Sequence, residues 1–217
     1  MSYSLNTTII NPISKEKPKN AVILCHGYGG DGKDISILAN YWKSFLPYTI
    51  FICPDAPEKC EVSPNGFQWF DLMDQASEQI LAKSLVAETK LNFLIEEVKE
   101  KNSLLSNKIA LAGFSQGCML TLQTGIKRKD KIKCILGYSG RIIDTNHLEK
   151  NINSRPEVML IHGNKDEVVP INSLLEAKDF FMKNDYKIQT KILKNCEHRI
   201  PAEGSSLGLE FIKKNLY

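Results

Sequence analysis

The pentapeptide Gly113-Phe114-Ser115-Gln116-Gly117 constrains this chain more than any other segment. It follows an apolar run over 108–112 and opens a helical pattern over 116–127 that begins Gln116-Gly117-Cys118-Met119-Leu120. A serine held between a strand and a helix sits in a tight, strained turn, and glycines at both ends keep bulk away from the adjoining elements. Gly-x-Ser-x-Gly also occurs by chance. The strand before it and the helix after it supply the context that makes Ser115 a candidate nucleophile rather than part of a structural glycine-rich turn.

Further apolar runs at 21–25, 49–53, 134–137, 158–161 and 188–193 accompany the one at 108–112. Runs of this kind belong to strands covered on both faces, as in a mostly parallel sheet. Helical spacing separates them, most clearly over 84–101, where Ala87, Leu91, Leu94, Ile95 and Val98 recur with charges on the other face. Other helices are expected near 35–45, 116–127, 173–184 and 204–215. Strands alternating with helices predict an α/β fold, a doubly wound, mostly parallel sheet with helices on both faces. At 217 residues the chain is expected to form one domain over 1–217.

One long stretch, 54–83, shows no regular pattern and carries Phe67, Trp69, Phe70, Leu72 and Met73. Connections this long are usually functional or mobile, and a lid is one option here. The stretch leaves the carboxyl end of a strand, so it is expected to wall a substrate groove, with Trp69 and Phe70 in contact with substrate. The alternative is a surface loop pinned by aromatic anchors.

A serine hydroxyl needs a base within hydrogen-bond reach and a third group to orient that base. With the nucleophile between strand and helix, the expected chain order is Ser, then Asp or Glu, then His. His198 follows the run 188–193 and is the expected base, with His162 as the alternative. The base must be neutral to accept the serine proton, so activity is expected to fall on acidification. Asp166 follows the run 158–161 across a glycine turn and is the expected orienting carboxylate, Glu167 being the near competitor and Asp144 a distant one. Oxyanion donors are expected at the backbone N–H of Gln116, at a helix N-terminus, and of Tyr28 in the loop His26-Gly27-Tyr28-Gly29-Gly30-Asp31-Gly32. That loop lacks the endings of a nucleotide-phosphate loop.

Composition excludes several classes. Hydrophobic residues at 42% and charged residues at 24% indicate a folded soluble chain, and the net charge of +3 identifies no partner. Lys127, Arg128, Lys129, Lys131 and Lys133 are expected to be a solvated helix end rather than a nucleic-acid patch. Six cysteines without a CxxC pair suggest neither zinc nor redox chemistry and fit buried thiols in a cytoplasm. No long apolar stretch or signal pattern predicts membrane insertion or secretion.

The chain resembles the phospholipase/carboxylesterase family that includes acyl-protein thioesterases. The resemblance runs through 24–32, Pro54-Asp55-Ala56-Pro57, Trp69-Phe70-Asp71, the Ser115 pentapeptide, Tyr138-Ser139-Gly140, His162-Gly163-Asn164-Lys165-Asp166 with Val168-Val169-Pro170, and His198. It implies an α/β-hydrolase without metal or organic cofactor, with Ser115, Asp166 and His198 as triad and Tyr28 and Gln116 as oxyanion donors. Tyr28 departs from the leucine often found there, which implies a narrower acyl entrance. Two enzymatic readings follow: a carboxylesterase for short or medium acyl chains, and an acyl-protein thioesterase or lysophospholipase for long ones. The expected partner is a small ester or acylated substrate. A catalytically silent binding module is the third reading, disfavoured by the complete Ser, Asp, His order.

Overall fold

The structure, a computed structural model, describes residues 3–73 and 77–217. Among these residues, seven strands form one sheet: β1 (Thr7–Ile10), β2 (Asn20–Cys25), β3 (Thr49–Pro54), β6 (Ile109–Phe114), β7 (Cys134–Tyr138), β8 (Glu157–Gly163) and β9 (Ile188–Leu193). Their order is β1-β3-β2-β6-β7-β8-β9; β1 is antiparallel to β3 and every other pairing is parallel. A separate antiparallel pair, β4 (Glu58–Cys60) and β5 (Ser63–Gln68), lies within the stretch expected to be irregular.

Alternate residues of the central strands serve two cores. Ala21, Ile23 and Cys25 face the core built with α2 (Ser77–Asn102), α3 (Gln116–Lys127) and α5 (Asn172–Lys183). Val22 and Leu24 face the other core, built with α1 (Gly32–Trp42) and α6 (Ala202–Leu216). Both faces are therefore dry, which explains why β2 and β3 are buried along their whole length and read as unbroken apolar runs. The short helix α4 (Thr145–Lys150) is capped by Asp144, whose carboxylate accepts from the His147 N–H.

From β2 the chain passes outward to β3, then returns past β2 to β6 and proceeds outward on the other side. The order reverses between β2 and β6, and the carboxyl ends of strands flanking such a reversal form a crevice. The Tyr28 loop leaves β2 there, and Ser115 leaves β6.

The stretch 54–83 differs from expectation. It contains the β4–β5 hairpin, and α2 begins at Ser77 rather than near 84; residues 74–76 lie outside the described residues. In the basic cluster Lys129 and Lys131 are exposed, as a solvated helix end requires, while the first two residues are paired. Lys127 pairs with Glu88, and Arg128 with Glu96 and Asn92. Among the described residues no helix is long and apolar enough to cross a membrane.

Candidate active site

Ser115 has φ 53° and ψ −116°, a conformation that side-chain-bearing residues rarely adopt. Backbone proximity holds it there. A Cβ on Gly117 would lie 2.2 Å from the Cys25 carbonyl oxygen, so α3 can start this close to β2 only with glycine at that position. The Ser115 N–H donates to the Tyr138 carbonyl at 2.8 Å, pinning the turn to β7 as well. The hydroxyl is thereby presented at the sheet's carboxyl edge on a residue only 8% exposed.

His198 Nε2 lies 2.9 Å from Ser115 Oγ, and His198 Nδ1 lies 2.8 Å from Asp166 Oδ2. A carboxylate accepts only, so Nδ1 carries the proton and the Nε2 lone pair faces the serine hydroxyl. The Phe114 ring packs on the imidazole at 4.8 Å between centroids and limits its swing. Two backbone bonds join the loops that carry acid and base: Asn164 N–H to the Leu193 carbonyl and Lys165 N–H to the Cys196 carbonyl, each 2.9 Å.

Asp166 is anchored on its other oxygen by the N–H groups of Val168, at 3.0 Å, and Val169, at 2.8 Å. Burial raises its carboxyl pKa, but the Val169 N–H, His198 and the Ser139 hydroxyl outweigh that and hold it below the usual carboxylate value. Of the alternatives, Glu167 is exposed, and Asp144 is committed to capping α4. His162 does approach Asp166, at 3.4 Å, but its Nε2–H donates to the Val169 carbonyl at 2.8 Å. It lies near the same carboxylate oxygen that His198 engages, and its bond to Val169 ties it to the loop that anchors the other oxygen. Neither His162 in this role nor Ser139 was derived from the sequence; the only trace was their presence in the segments carrying the family resemblance.

The Tyr28 loop is held by a bond within itself and by bonds to Phe67 and Ala56. Gly29 N–H donates to the Phe67 carbonyl and Gly30 N–H to the Gly27 carbonyl, so the Tyr28 N–H is left without a protein partner among the described residues. His26 Nε2 accepts from the Ala56 N–H at 2.9 Å, while its Nδ1–H donates to the Gly27 carbonyl at 2.7 Å. Burial lowers the His26 pKa, consistent with a neutral ring in this bridging role. Gln116 opens α3, where a first-turn N–H has no intrahelical partner. The Tyr28 and Gln116 N–H groups can thus receive an oxyanion beside Ser115 Oγ.

Trp69 and Phe70 require correction. They are 1% and 0% exposed, and neither lines a cavity that reaches the triad. Their apolar area is satisfied inside the α2–α3 core, while the Trp69 indole N–H donates to the His26 carbonyl at 3.0 Å. The Gln116 side chain accepts from the Trp69 N–H and donates to the Phe70 carbonyl, tying this segment to the serine turn. Two other cavities flank the triad. One of about 400 Å³ contains Ser115 and is lined by Leu72, Ile80, Met119, Arg141, Val168 and Val169 among others. The second, about 370 Å³, lies by His198 against Ile35, Leu38, Phe114 and Ile200. Tyr28 borders both.

This sheet topology and the fold of close structural relatives define an α/β-hydrolase. Residues 6–216 match the phospholipase/carboxylesterase family, and the chain belongs to that family. It is 31% identical to acyl-protein thioesterase 1 of Saccharomyces cerevisiae over 91% of this chain and 93% of the relative. Among solved structures, esterase PE8 superposes with a TM-score of 0.93 at 32% identity, covering 98% of this chain and 99% of that one. Acyl-protein thioesterase 2 of Zea mays, at 21% identity and TM-score 0.74 over 98% of this chain and 99% of its own, shares the fold. The chain is an enzyme of the ester-hydrolase class.

Proposed function

We propose that the protein cleaves carboxylic esters through an acyl-Ser115 intermediate. The observation that carries this reading is the unbroken hydrogen-bond chain Ser115–His198–Asp166, at 2.9 and 2.8 Å. Ser115 Oγ attacks the scissile carbonyl as its proton passes to His198 Nε2. Asp166 fixes the imidazole tautomer and stabilises the imidazolium. The Tyr28 and Gln116 N–H groups receive the oxyanion, and His198 then protonates the departing alcohol. Water repeats the sequence to release the acid.

The cavity of about 400 Å³ at Ser115 supports an acyl group of short or medium length. A second reading, acyl-protein thioesterase, is favoured by the names of curated relatives such as that of Saccharomyces cerevisiae. Thioesters and esters share the same intermediate, so the two readings differ in the leaving group and the acyl length. Six buried, unbridged cysteines fit a reducing cytoplasm as the place of action.

The test is a panel of acyl esters and thioesters of increasing length, run with the wild type and Ser115→Ala. Wild-type kcat/KM should rise by a factor set by about 0.8 kcal/mol per buried methylene until the cavity is full. Ser115→Ala should lose roughly a thousandfold or more of turnover on every substrate while keeping the wild-type circular dichroism. Near-normal turnover in that variant would remove Ser115 from the mechanism.

A further inference from the structure

Arg141 sits in the wall of the Ser115 cavity, half-buried, and makes no hydrogen bond or ion pair among the described residues. Several other partly buried cations are paired: Lys127 with Glu88, Arg128 with Glu96, Lys99 with Glu96 and Asp130. The position of Arg141 follows from the backbone. After β7 the chain turns at Ser139, with φ 46°, and Gly140 passes so close to the serine turn that a Cβ there would lie 2.5 Å from the Cys118 Cβ and 3.1 Å from the Ser115 carbonyl oxygen. Arg141 is the next residue, delivered to the cavity by a segment that cannot shift without disturbing Ser115.

The cavity's other walls are mostly apolar: Leu72, Ile80, Met119, Val168, Val169 and Pro170. The Arg141 nitrogens are not among the buried unpartnered polar atoms, so the guanidinium keeps solvent access and is free to meet a ligand beside these apolar walls. Its planar fork matches a carboxylate through two parallel hydrogen bonds. The two cavities also divide the ester. His198, which returns the proton to the departing alcohol, borders the second cavity, whereas Ser115, which keeps the acyl group, borders the cavity of Arg141. We propose that Arg141 selects an acyl group ending in a carboxylate, making the preferred substrates monoesters or monothioesters of dicarboxylic acids.

Apolar residues between Ser115 and Arg141 would cover the intervening methylenes. The reaction is ordinary hydrolysis. Ser115 Oγ bonds to the carbonyl carbon, the alcohol leaves with the proton from His198, and water then releases a dicarboxylate and restores the serine. This inference rests on the acyl-Ser115 reading above.

The test uses the purified full chain and mono-4-nitrophenyl esters of succinic, glutaric and adipic acids. Their methyl-capped, neutral counterparts serve for comparison, with spontaneous hydrolysis subtracted. The readout is the charged-to-neutral ratio of kcat/KM. In the wild type the charged ester should win at one or more lengths by about tenfold or more, as a charge-assisted pair allows. Arg141→Gln should lower that ratio about ten- to a hundredfold, and Arg141→Lys, keeping charge without the fork, should fall between. The phosphonylation rate of Ser115 by a neutral fluorophosphonate checks that each variant is folded. A wild type that prefers the neutral ester, or a ratio unmoved by Arg141→Gln, would overturn the proposal. So would an Arg141-dependent preference for a charge on the alcohol, read with acetyl esters of 4-hydroxybenzoate. Failure to hydrolyse any ester, with Ser115 unlabelled, would instead remove the acyl-Ser115 reading and this inference with it.

Discussion

Two regions build this site by different means. On one side, the strand ends carrying Ser115, Asp166 and His198 are fixed by backbone closeness: Gly117 against Cys25, the Asn164 and Lys165 N–H groups against the loop of His198. On the other, the segment from Asp55 to Met73 is fixed by buried side chains, Trp69 and Phe70 above all, and by the Gln116 amide. In the proposed mechanism the first region carries the groups that meet substrate. The second supports them: Ala56 orients His26, Phe67 holds Gly29, and the Trp69 indole holds the His26 carbonyl. On that mechanism, large aromatics beside the serine support the site from the core without touching substrate. Here they set the shape of the loop that offers the Tyr28 N–H.

The largest expected effect falls on the first region alone. Asp166→Asn replaces an acceptor-only carboxylate with an amide that can present N–H to His198, setting the wrong tautomer. Turnover should fall by roughly ten-thousandfold. Stability should fall by only about 1–3 kcal/mol, for the altered hydrogen bonds. Its pH dependence carries a sign. Because the folded carboxyl is held below its usual value, its stabilisation is present above the unfolded value and disappears as pH falls through the folded one. Urea midpoints of wild type and variant should therefore converge below about pH 4. A gap that persisted in strong acid would show that the carboxylate's charge is not what stabilises this loop.

Next comes Trp69→Ala, which attacks the supporting region. Loss of a fully buried indole should cost about 3–5 kcal/mol of unfolding free energy, measured by urea denaturation. Acyl-length preference in the surviving folded fraction should keep its wild-type profile. A flattened profile with undiminished stability would return Trp69 to the groove and collapse the distinction between the regions.

Gly117→Ala tests the place where the two regions meet, since Gly117 adjoins Gln116. The added methyl meets backbone oxygens of Cys25 and His26 at 2.2 and 2.5 Å. Relief requires the turn to move, at a cost of about 1–3 kcal/mol. Phosphonylation of Ser115 should slow alongside the loss of stability. Unchanged labelling would mean that backbone closeness does not set the hydroxyl's position.

Sequence and structure agree where burial on both faces writes a continuous signal. The helix expected over 116–127 has the observed bounds and the central strands match within one or two residues at each end; β9 also has the expected bounds, although in this edge strand only Leu193 is buried. β1 escaped because an edge strand of four residues, none of them buried, carries no such run. The β4–β5 hairpin escaped because β5 contains Pro64, Asn65 and Gly66 and packs through backbone bonds to the Tyr28 loop rather than through alternating apolar side chains. The convergence of Ser115, His198 and Asp166 was legible because chain order and strand ends restrict the choice. Trp69 and Phe70 were misplaced because aromatic area near a strand's carboxyl end says that something is buried, not which face does the burying. Arg141 was silent because a lone cation carries meaning only once its lack of a partner is visible.

The most direct test of the central claim is the intact mass of the protein after brief exposure to a fluorophosphonate, followed by peptide mapping. The account predicts a single adduct on Ser115 that forms in step with loss of ester hydrolysis. The adduct should be absent from Ser115→Ala and should form far more slowly in His198→Ala. Full loss of activity with the adduct on another residue, or full activity with Ser115 modified, would contradict it.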